Sequence, residues 1–392
     1  MADTLIRYDT MSFPKVSIVT PSFNQAQFLE KTISSVIGQD YPNIEYIVID
    51  GGSTDGSQEI IKKYEDRITY WVSEKDNGQS DAINKGLKKC TGEIVAWINS
   101  DDLYVEGAVS RAVKFFEEHP DTDLIHGDID FIDKDGQFLF NIKTRDFTLP
   151  ELLETNRIAQ PTTFWKSKIF DDVGYLDEAR HYIMDYDFWI RVAMKHRIRH
   201  IDTTIARFRL HNESKTVSRN DLFLIENLIM LDQLLSRNPE ENAIGAIYTG
   251  MVRLLARFQF TDIASIRKYL DRSGPQKAVA VLGMAEYRSK LLSRSLRLSD
   301  LGVLKRDLRR LIEGYLEQYS GYRKYVTSDI IDEVVNDELF TIAHYFYDMG
   351  QHGKSVKLFL MTACLDARHL KYHNAKGLLK KYAFSGRSGT SE

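Results

Sequence analysis

The chain reads as an α/β domain built on a mostly parallel sheet, followed by an all-helical domain. Three observations lead there. Short β-branched runs alternate with segments of helical spacing through the first half, polar turns close several of those runs, and strand signals stop beyond about Asp221. At 392 residues the chain is too long for one ordinary core, so two domains are expected. We set them at 14–220 and 221–384, with an N-terminal extension over 1–13 and a loose tail over 385–392.

Val16-Ser17-Ile18-Val19-Thr20 is a β-branched run stopped by Pro21, the pattern of a buried strand. Phe28, Ile33, Val36 and Ile37 then recur at helical spacing. Strands follow at Ile44 to Ile49, Ile68 to Val72 and Ile94 to Ile98, with helices at Gln58 to Tyr64 and Ser80 to Lys89 between them. Such alternation builds right-handed βαβ units. Leu124 to His126 and Asp128 to Asp133 are further strands, and Lys134-Asp135-Gly136 is a hairpin turn before Gln137 to Lys143. Phe188, Val192 and Lys195 mark a helix. In the C-terminal part, Leu222, Ile225, Leu228, Ile229, Leu231, Leu234 and Leu235 mark one amphipathic helix, and Leu301, Leu304, Leu308, Leu311 and Tyr315 another. Ala343, Gly350, Ser355, Leu358 and Ala363 suggest a single helical hairpin, too little to make a repeat protein.

Composition narrows the function classes. A hydrophobic content of 43% with 28% charged residues is that of a globular protein, and a net charge of −4 argues against general nucleic-acid binding. Cys90 and Cys364 lie far apart and lack metal-type spacing, which points to a reducing compartment. Met1 to Ser12 has no apolar signal core, and runs such as Ala278 to Ala285 fall short of the ~18 residues of a membrane span. The expected location is cytoplasmic, with room for peripheral contact at the inner face of the membrane. Residues 245–329 hold 16 Lys or Arg against 8 Asp or Glu. That excess is either a solvated helical face or an attraction to an anionic surface or a phosphate-bearing acceptor.

The chemistry concentrates at strand ends, where open α/β sheets bind ligands. The apolar run Ile94-Val95-Ala96-Trp97-Ile98 breaks into Asn99-Ser100-Asp101-Asp102. Carboxylates there suit Mg²⁺ or Mn²⁺ and leave coordination positions for substrate phosphates, although Asp also caps helices, here one beginning near Glu106. Asp50 ends another strand and opens the turn Gly51-Gly52-Ser53-Thr54-Asp55-Gly56-Ser57, which fits neither the dinucleotide fingerprint nor a phosphate loop. Asp50 is placed to meet a base or ribose; Asp55 and Ser57 serve equally well as helix caps. The backbone of Thr20, Pro21 and Ser22 would form the other wall of the same pocket. Gln160 and Trp165 belong either to ordinary packing or to an acceptor side. Asp185 falls at the start of its helix, where a carboxylate is stabilised as a cap.

Four segments taken together resemble the family 2 glycosyltransferases. They are Val-Ser-Ile-Val-Thr-Pro-Ser-Phe-Asn at 16–24, Ile-Asp-Gly-Gly-Ser-Thr-Asp-Gly-Ser at 49–57, Asp-Asn-Gly-Gln-Ser-Asp-Ala-Ile-Asn-Lys-Gly at 76–86 and Asn-Ser-Asp-Asp at 99–102. The resemblance runs over roughly 14–215. It implies a GT-A, Rossmann-like fold and inverting transfer from a nucleotide sugar, with uridine diphosphate donors favoured. By it, Thr20, Pro21, Asp50, Asp76 and Asp101 bind the donor. Asp101 is then the main protein ligand of a divalent metal, Mn²⁺ or Mg²⁺; Asp102 and His211 are further candidate ligands, His211 serving equally as a phosphate partner. Met-Asp-Tyr-Asp-Phe-Trp-Ile-Arg at 184–191 resembles the segment whose first Asp is the general base, which would be Asp185. Asn99 and Met184 stand where many relatives carry acidic residues, Asp81 and Lys85 alter the local charge, and an Arg common near Ile83 is missing. With Met184 beside it, Asp185 is expected to titrate near an ordinary Asp, ~3.9.

The expected function is therefore metal-dependent glycosyl transfer to a carbohydrate or lipid-linked glycan, in surface polysaccharide or glycoconjugate synthesis. The rivals are a nucleotidyltransferase, with similar carboxylates, and a sugar-nucleotide-binding scaffold without turnover.

Overall fold

The computed structural model describes residues 13–211, 220–236, 243–248, 250–251, 301–317 and separate positions between 326 and 339. The chain divides into two compact units, Met1–Phe223 and Leu224–Glu392. The expected N-terminal extension, the helical hairpin between Ala343 and Ala363, and the tail lie, but for Phe13, outside the described residues, as does most of the basic region.

The first unit runs β1 (Val16–Ser22), α1 (Ala26–Ile37), β2 (Ile44–Asp50), α2 (Ser57–Lys63), β3 (Tyr70–Ser73), α3 (Gln79–Leu87), β4 (Ile94–Trp97), β5 (Leu103–Tyr104), α4 (Ala108–Glu118), β6 (Leu124–Ile132), β7 (Phe138–Ile142), α5 (Leu149–Glu154), β8 (Phe164–Lys166), α6 (Ile169–Val173), α7 (Met184–Ala193) and β9 (Ile198–Arg209). Among the described residues these strands make one sheet, in the order β3-β2-β1-β4-β8-β6-β9-β5, with β7 beside β6. β1 lies parallel to both β2 and β4, and β2 is parallel to β3. Every residue of β1 is buried, because helices cover both faces of a parallel sheet and leave no solvent side for polar alternation.

Past β4 the sheet becomes mixed. β8 runs antiparallel to β4 and β6, while β9 runs parallel to β6. The two strands expected on either side of Gly127 are one strand, β6, with a register shift at that glycine. A Cβ there would stand 2.4 Å from Ile205 Cγ1 and 2.8 Å from Thr203 O, so only glycine lets β9 approach. β5 and β8 were invisible to periodicity because two or three residues carry no repeat.

Three tryptophans join the sheet to α7. Trp97 of β4 stacks on Trp189 of α7 at 5.4 Å and 11°, and both meet Trp165 of β8 edge-on, at 5.5 and 5.9 Å. All three side chains are fully buried, so Trp165 packs the core and faces no acceptor.

In the helical part, α8 (Asn220–Ser236) buries the four consecutive residues Leu228 to Leu231. It is enclosed on several sides, not amphipathic with one apolar face. In α9 (Leu301–Leu316) the buried row is Leu308, Ile312 and Leu316, four apart, and Leu311 is only partly covered. No helix among the described residues is long and apolar enough to cross a membrane.

Trp189→Ala should destabilise the first unit by about 3–5 kcal/mol, as large core truncations do. Chemical denaturation checks this; a midpoint unmoved by the substitution would show that the tryptophan trio does not hold α7 to the sheet.

Candidate active site

The turn after β4 is held from several sides. Ile98 N donates to Val19 O at 2.9 Å and Asp102 N to Asn99 O at 3.1 Å. The Thr32 hydroxyl of α1 is shared between Ser100 O at 2.9 Å and Asp102 O at 2.8 Å. The two carboxylates part company here. Asp102 is 1% exposed, and its Oδ1 accepts from Arg209 N at 3.0 Å. Burial, with Asp101 beside it, pushes its pKa well above the usual carboxylate range. Asp101 projects to His211, whose Nε2 lies 3.0 Å from Asp101 Oδ2. Arg209 Nε donates to Asp101 O at 2.9 Å, and Phe28 packs against both the His211 ring and the Arg209 guanidinium. Neither Asp caps a helix, since α4 starts later, after Gly107.

Asp101 and His211 thus pair an oxygen with an imidazole nitrogen, a donor set that fits Mn²⁺ or Mg²⁺ with phosphate oxygens completing the coordination. Asp102, expected as a third ligand, gives its carboxylate to the backbone of β9. Among the described residues no group of three His, Cys, Asp or Glu is arranged to hold a metal by itself.

Across β1 from that turn, at the end of β2, Asp50 is fully buried and its oxygens are already taken. Oδ2 accepts from Ser53 N at 2.8 Å, Gly52 N at 3.2 Å and Ser73 Oγ at 2.6 Å, and Oδ1 from Ser53 Oγ at 2.5 Å. Asp50 therefore shapes the glycine turn. Thr20 and Pro21 are buried too, the Thr20 hydroxyl accepting from Tyr46 Oη at 3.1 Å. Asp55 holds two helix starts, Oδ2 accepting from Ala26 N at 2.9 Å and Oδ1 from Ser57 N at 3.1 Å. Asp76 is different. Its Oδ2 lies 2.3 Å from where a Gly51 Cβ would be, and Phe23, 59% exposed, lies 3.2 Å from the same point. A glycine at 51 thus opens a slot between a carboxylate and an exposed ring. Lys85 spends its charge on Glu74 at 3.0 Å and Asp81 at 3.5 Å.

Asp185 is the second residue of α7, two residues past a cap position filled by Ile183. Its Oδ1 accepts from Tyr186 N at 2.8 Å, but burial outweighs that bond and raises its pKa to about 6. The ordinary value expected from the absence of an acidic neighbour is thus corrected: desolvation sets it, whatever the charge at 184. Met184 packs on the start of α3, where the Ser80 hydroxyl lies 3.2 Å from its Sδ and donates to Arg180 O at 2.9 Å. Next to Ser80, Gln79 Nε2 donates to Asn99 Oδ1 at 3.0 Å. The first turn of α3 therefore touches both α7 and the turn that carries Asp101. Asp187 is fixed by Arg191 at 2.9 Å and serves structure.

Sequence reasoning missed Arg209, Thr32 and Gln79. An Arg or Thr inside an alternating segment gives no local sign that it will clamp a turn far away in the chain.

The first unit is an α/β sheet of GT-A type, with a carboxylate just past β4 and a second one, Asp185, at the start of α7. The glycosyl transferase family 2 profile matches residues 17–174, all within the first unit. An uncharacterised glycosyltransferase of Rickettsia bellii is 30% identical over 231 residues, 55% of this chain but only 33% of its own length. The chain thus spans about a third of that relative. Staphylococcus aureus TarS residues 1–349, solved with UDP, superposes with a TM-score of 0.52 at 18% identity, covering 92% of this chain and 93% of that one. A mannosyltransferase of Pyrobaculum calidifontis, solved with GDP-mannose and Mn²⁺, gives 0.50 at 16% identity, covering 84% and 86%.

The raised pKa of Asp185 carries a stability consequence. Its carboxyl holds a proton up to about pH 6 when folded but only to 3.8 when unfolded, so folding loses free energy as pH rises between those values. Asp185→Asn should therefore be more stable than the parent at pH 7.5, by ~1–3 kcal/mol, and no more stable near pH 3.5. A pH series of denaturant melts measures this. A helix-capping role predicts equal stability throughout, since Asn caps as well as Asp.

Proposed function

We propose that the chain transfers a sugar from a nucleotide-sugar donor to an acceptor hydroxyl with inversion, using Asp185 as general base. The observation that carries this reading is the position of Asp185 at the start of α7, a helix tied through Ser80 and Gln79 to the Asp101 turn, with desolvation raising its pKa to about 6. Above that pH Asp185 is ionised and accepts the proton of the attacking hydroxyl. The hydroxyl oxygen bonds to the anomeric carbon as the bond to the nucleotide diphosphate breaks on the opposite face. One displacement with one base inverts that carbon. Asp101 and His211 would hold Mn²⁺ or Mg²⁺, which when bound neutralises charge on the departing diphosphate. The positive end of α3 favours the same anion.

For the donor we favour uridine diphosphate sugars: Asp76 offers an acceptor to a base N–H, and Phe23 an apolar face. UDP on the S. aureus neighbour supports that preference, and Mn²⁺ on the P. calidifontis one supports the metal. The acceptor would be a carbohydrate or lipid-linked glycan, the reaction cytoplasmic, and the helical unit a peripheral contact with an anionic leaflet. Arg309 is already engaged with Glu313, Asp332 and Ser328, which leaves Lys305, Arg306 and Arg310 to carry that attraction. Each is worth ~1 kcal/mol at the surface and is screened within a Debye length.

Product analysis with nucleotide sugars tests the reaction. Release of nucleoside diphosphate supports it, pyrophosphate from a triphosphate points to nucleotidyl transfer, and no product at all to a binding scaffold. Asp185→Asn should lower turnover ~10²-fold or more with donor affinity kept. Parent activity should rise with pH through about 6 and then level. Asp101→Ala, or excess chelator, should abolish transfer; full activity in chelator would overturn the metal-dependent mechanism. Vesicle sedimentation at low salt should show binding to anionic but not neutral lipid, lost when Lys305, Arg306 and Arg310 are reversed to Glu. Indifference to anionic vesicles would reduce the charge to a solvated face.

A further inference from the structure

Three amides and one carbonyl form a directed chain beneath the candidate site. Gln160 Nε2 donates to Trp97 O at 2.8 Å, Asn99 Nδ2 to Gln160 Oε1 at 3.0 Å, and Gln79 Nε2 to Asn99 Oδ1 at 3.0 Å. The polarity of every link follows from the first. A backbone carbonyl only accepts, so Gln160 must turn its NH₂ toward Trp97 and its oxygen toward position 99. A donor is then required at 99, and its remaining oxygen meets the NH₂ of Gln79. Asn satisfies both ends; Asp, ionised and with no N–H, satisfies only one.

The chain joins three parts of the domain: the start of α3, the turn bearing Asp101, and the short turn Gln160–Thr162 before β8. Gln160 is nearly buried, and the anchoring carbonyl belongs to a fully buried tryptophan. Position 99 also lies beside the buried Asp102, with Asp101 next to that. A carboxylate at 99 would face the Gln160 oxygen acceptor to acceptor and leave that buried link unmade.

We propose that Asn99 is a positioning residue and not a vacated metal ligand: the Gln79–Asn99–Gln160 relay fixes the turn so that Asp101 alone of the Asn-Ser-Asp-Asp segment is aimed at His211. Gln79 and Gln160 are positioning residues with it. The proposal rests on the transferase reading for its kinetic consequence, while the relay itself is a statement about hydrogen bonding.

A double-mutant cycle tests both parts. Asn99→Asp should lower the melting temperature by roughly 2–4 °C. Gln160→Leu removes the opposed oxygen, so adding Asn99→Asp to it should cost little more. In nucleotide-sugar turnover assays Asn99→Asp should lower kcat about tenfold with donor KM little changed, and the Mn²⁺ concentration for half-maximal rate should not fall. Additive melting losses would overturn the relay. Coupled losses with unchanged kcat would leave the relay structural and overturn its positioning role. A higher kcat or tighter Mn²⁺ requirement in Asn99→Asp would show that position 99 is a ligand position after all. If the parent turns over no nucleotide sugar, the transferase reading and the positioning role fall together, and the melts still decide the relay by themselves.

Discussion

The buried contact between Asp102 and the backbone of Arg209 is the constraint on which the candidate site depends. A carboxylate almost without solvent survives only if its partners are fixed, and here the partner is the last residue of β9. That bond draws β9 against the end of β4, and Arg209 then closes on Asp101 O. His211, two residues on, consequently arrives at Asp101, although 110 positions separate them in sequence. Thr32 and Phe28 of α1 complete the clamp, one by hydrogen bonding the turn and the other by packing under the ring and the guanidinium. The partly exposed Asp101 is thus held in place by the enclosed carboxyl of its neighbour.

A second constraint governs Asp185. The tryptophan trio fastens α7 to the middle of the sheet, and Met184, Tyr186 and Asp187 around Asp185 in its first turn are buried. Burial disfavours the charged carboxylate, which is what tunes a base toward neutrality. The same desolvation makes the ionised form costly to the fold. In the proposed role as base, Asp185 would therefore set function against stability, a trade often met where a fold keeps a reactive group away from water.

The two sites communicate through small polar contacts. Ser80 meets Met184, and Gln79 meets Asn99, both from the first turn of α3. Asn99 and Met184 each have a partner there. They are compatible with their surroundings as they stand.

The sequence by itself determined the parallel half of the sheet, because strands buried on both faces must be continuously apolar and their connections must be helical. It also determined that carboxylates end β2 and β4 and open α7, since residue type and element boundary are local properties. Tertiary structure alone decided what each carboxylate does. Asp50 is consumed by Ser53 and by Ser73, which is 23 positions away; Asp102 is consumed by Arg209, 107 positions away. Asp101 and Asp102 are adjacent and identical in sequence, yet one is aimed at His211 and the other is enclosed. The short strands β5 and β8 likewise exist only because longer neighbours pair with them. The reason is common to all these cases. Burial and hydrogen-bond partners come from segments distant in the chain, and they set a side chain's availability and pKa, which no local pattern encodes.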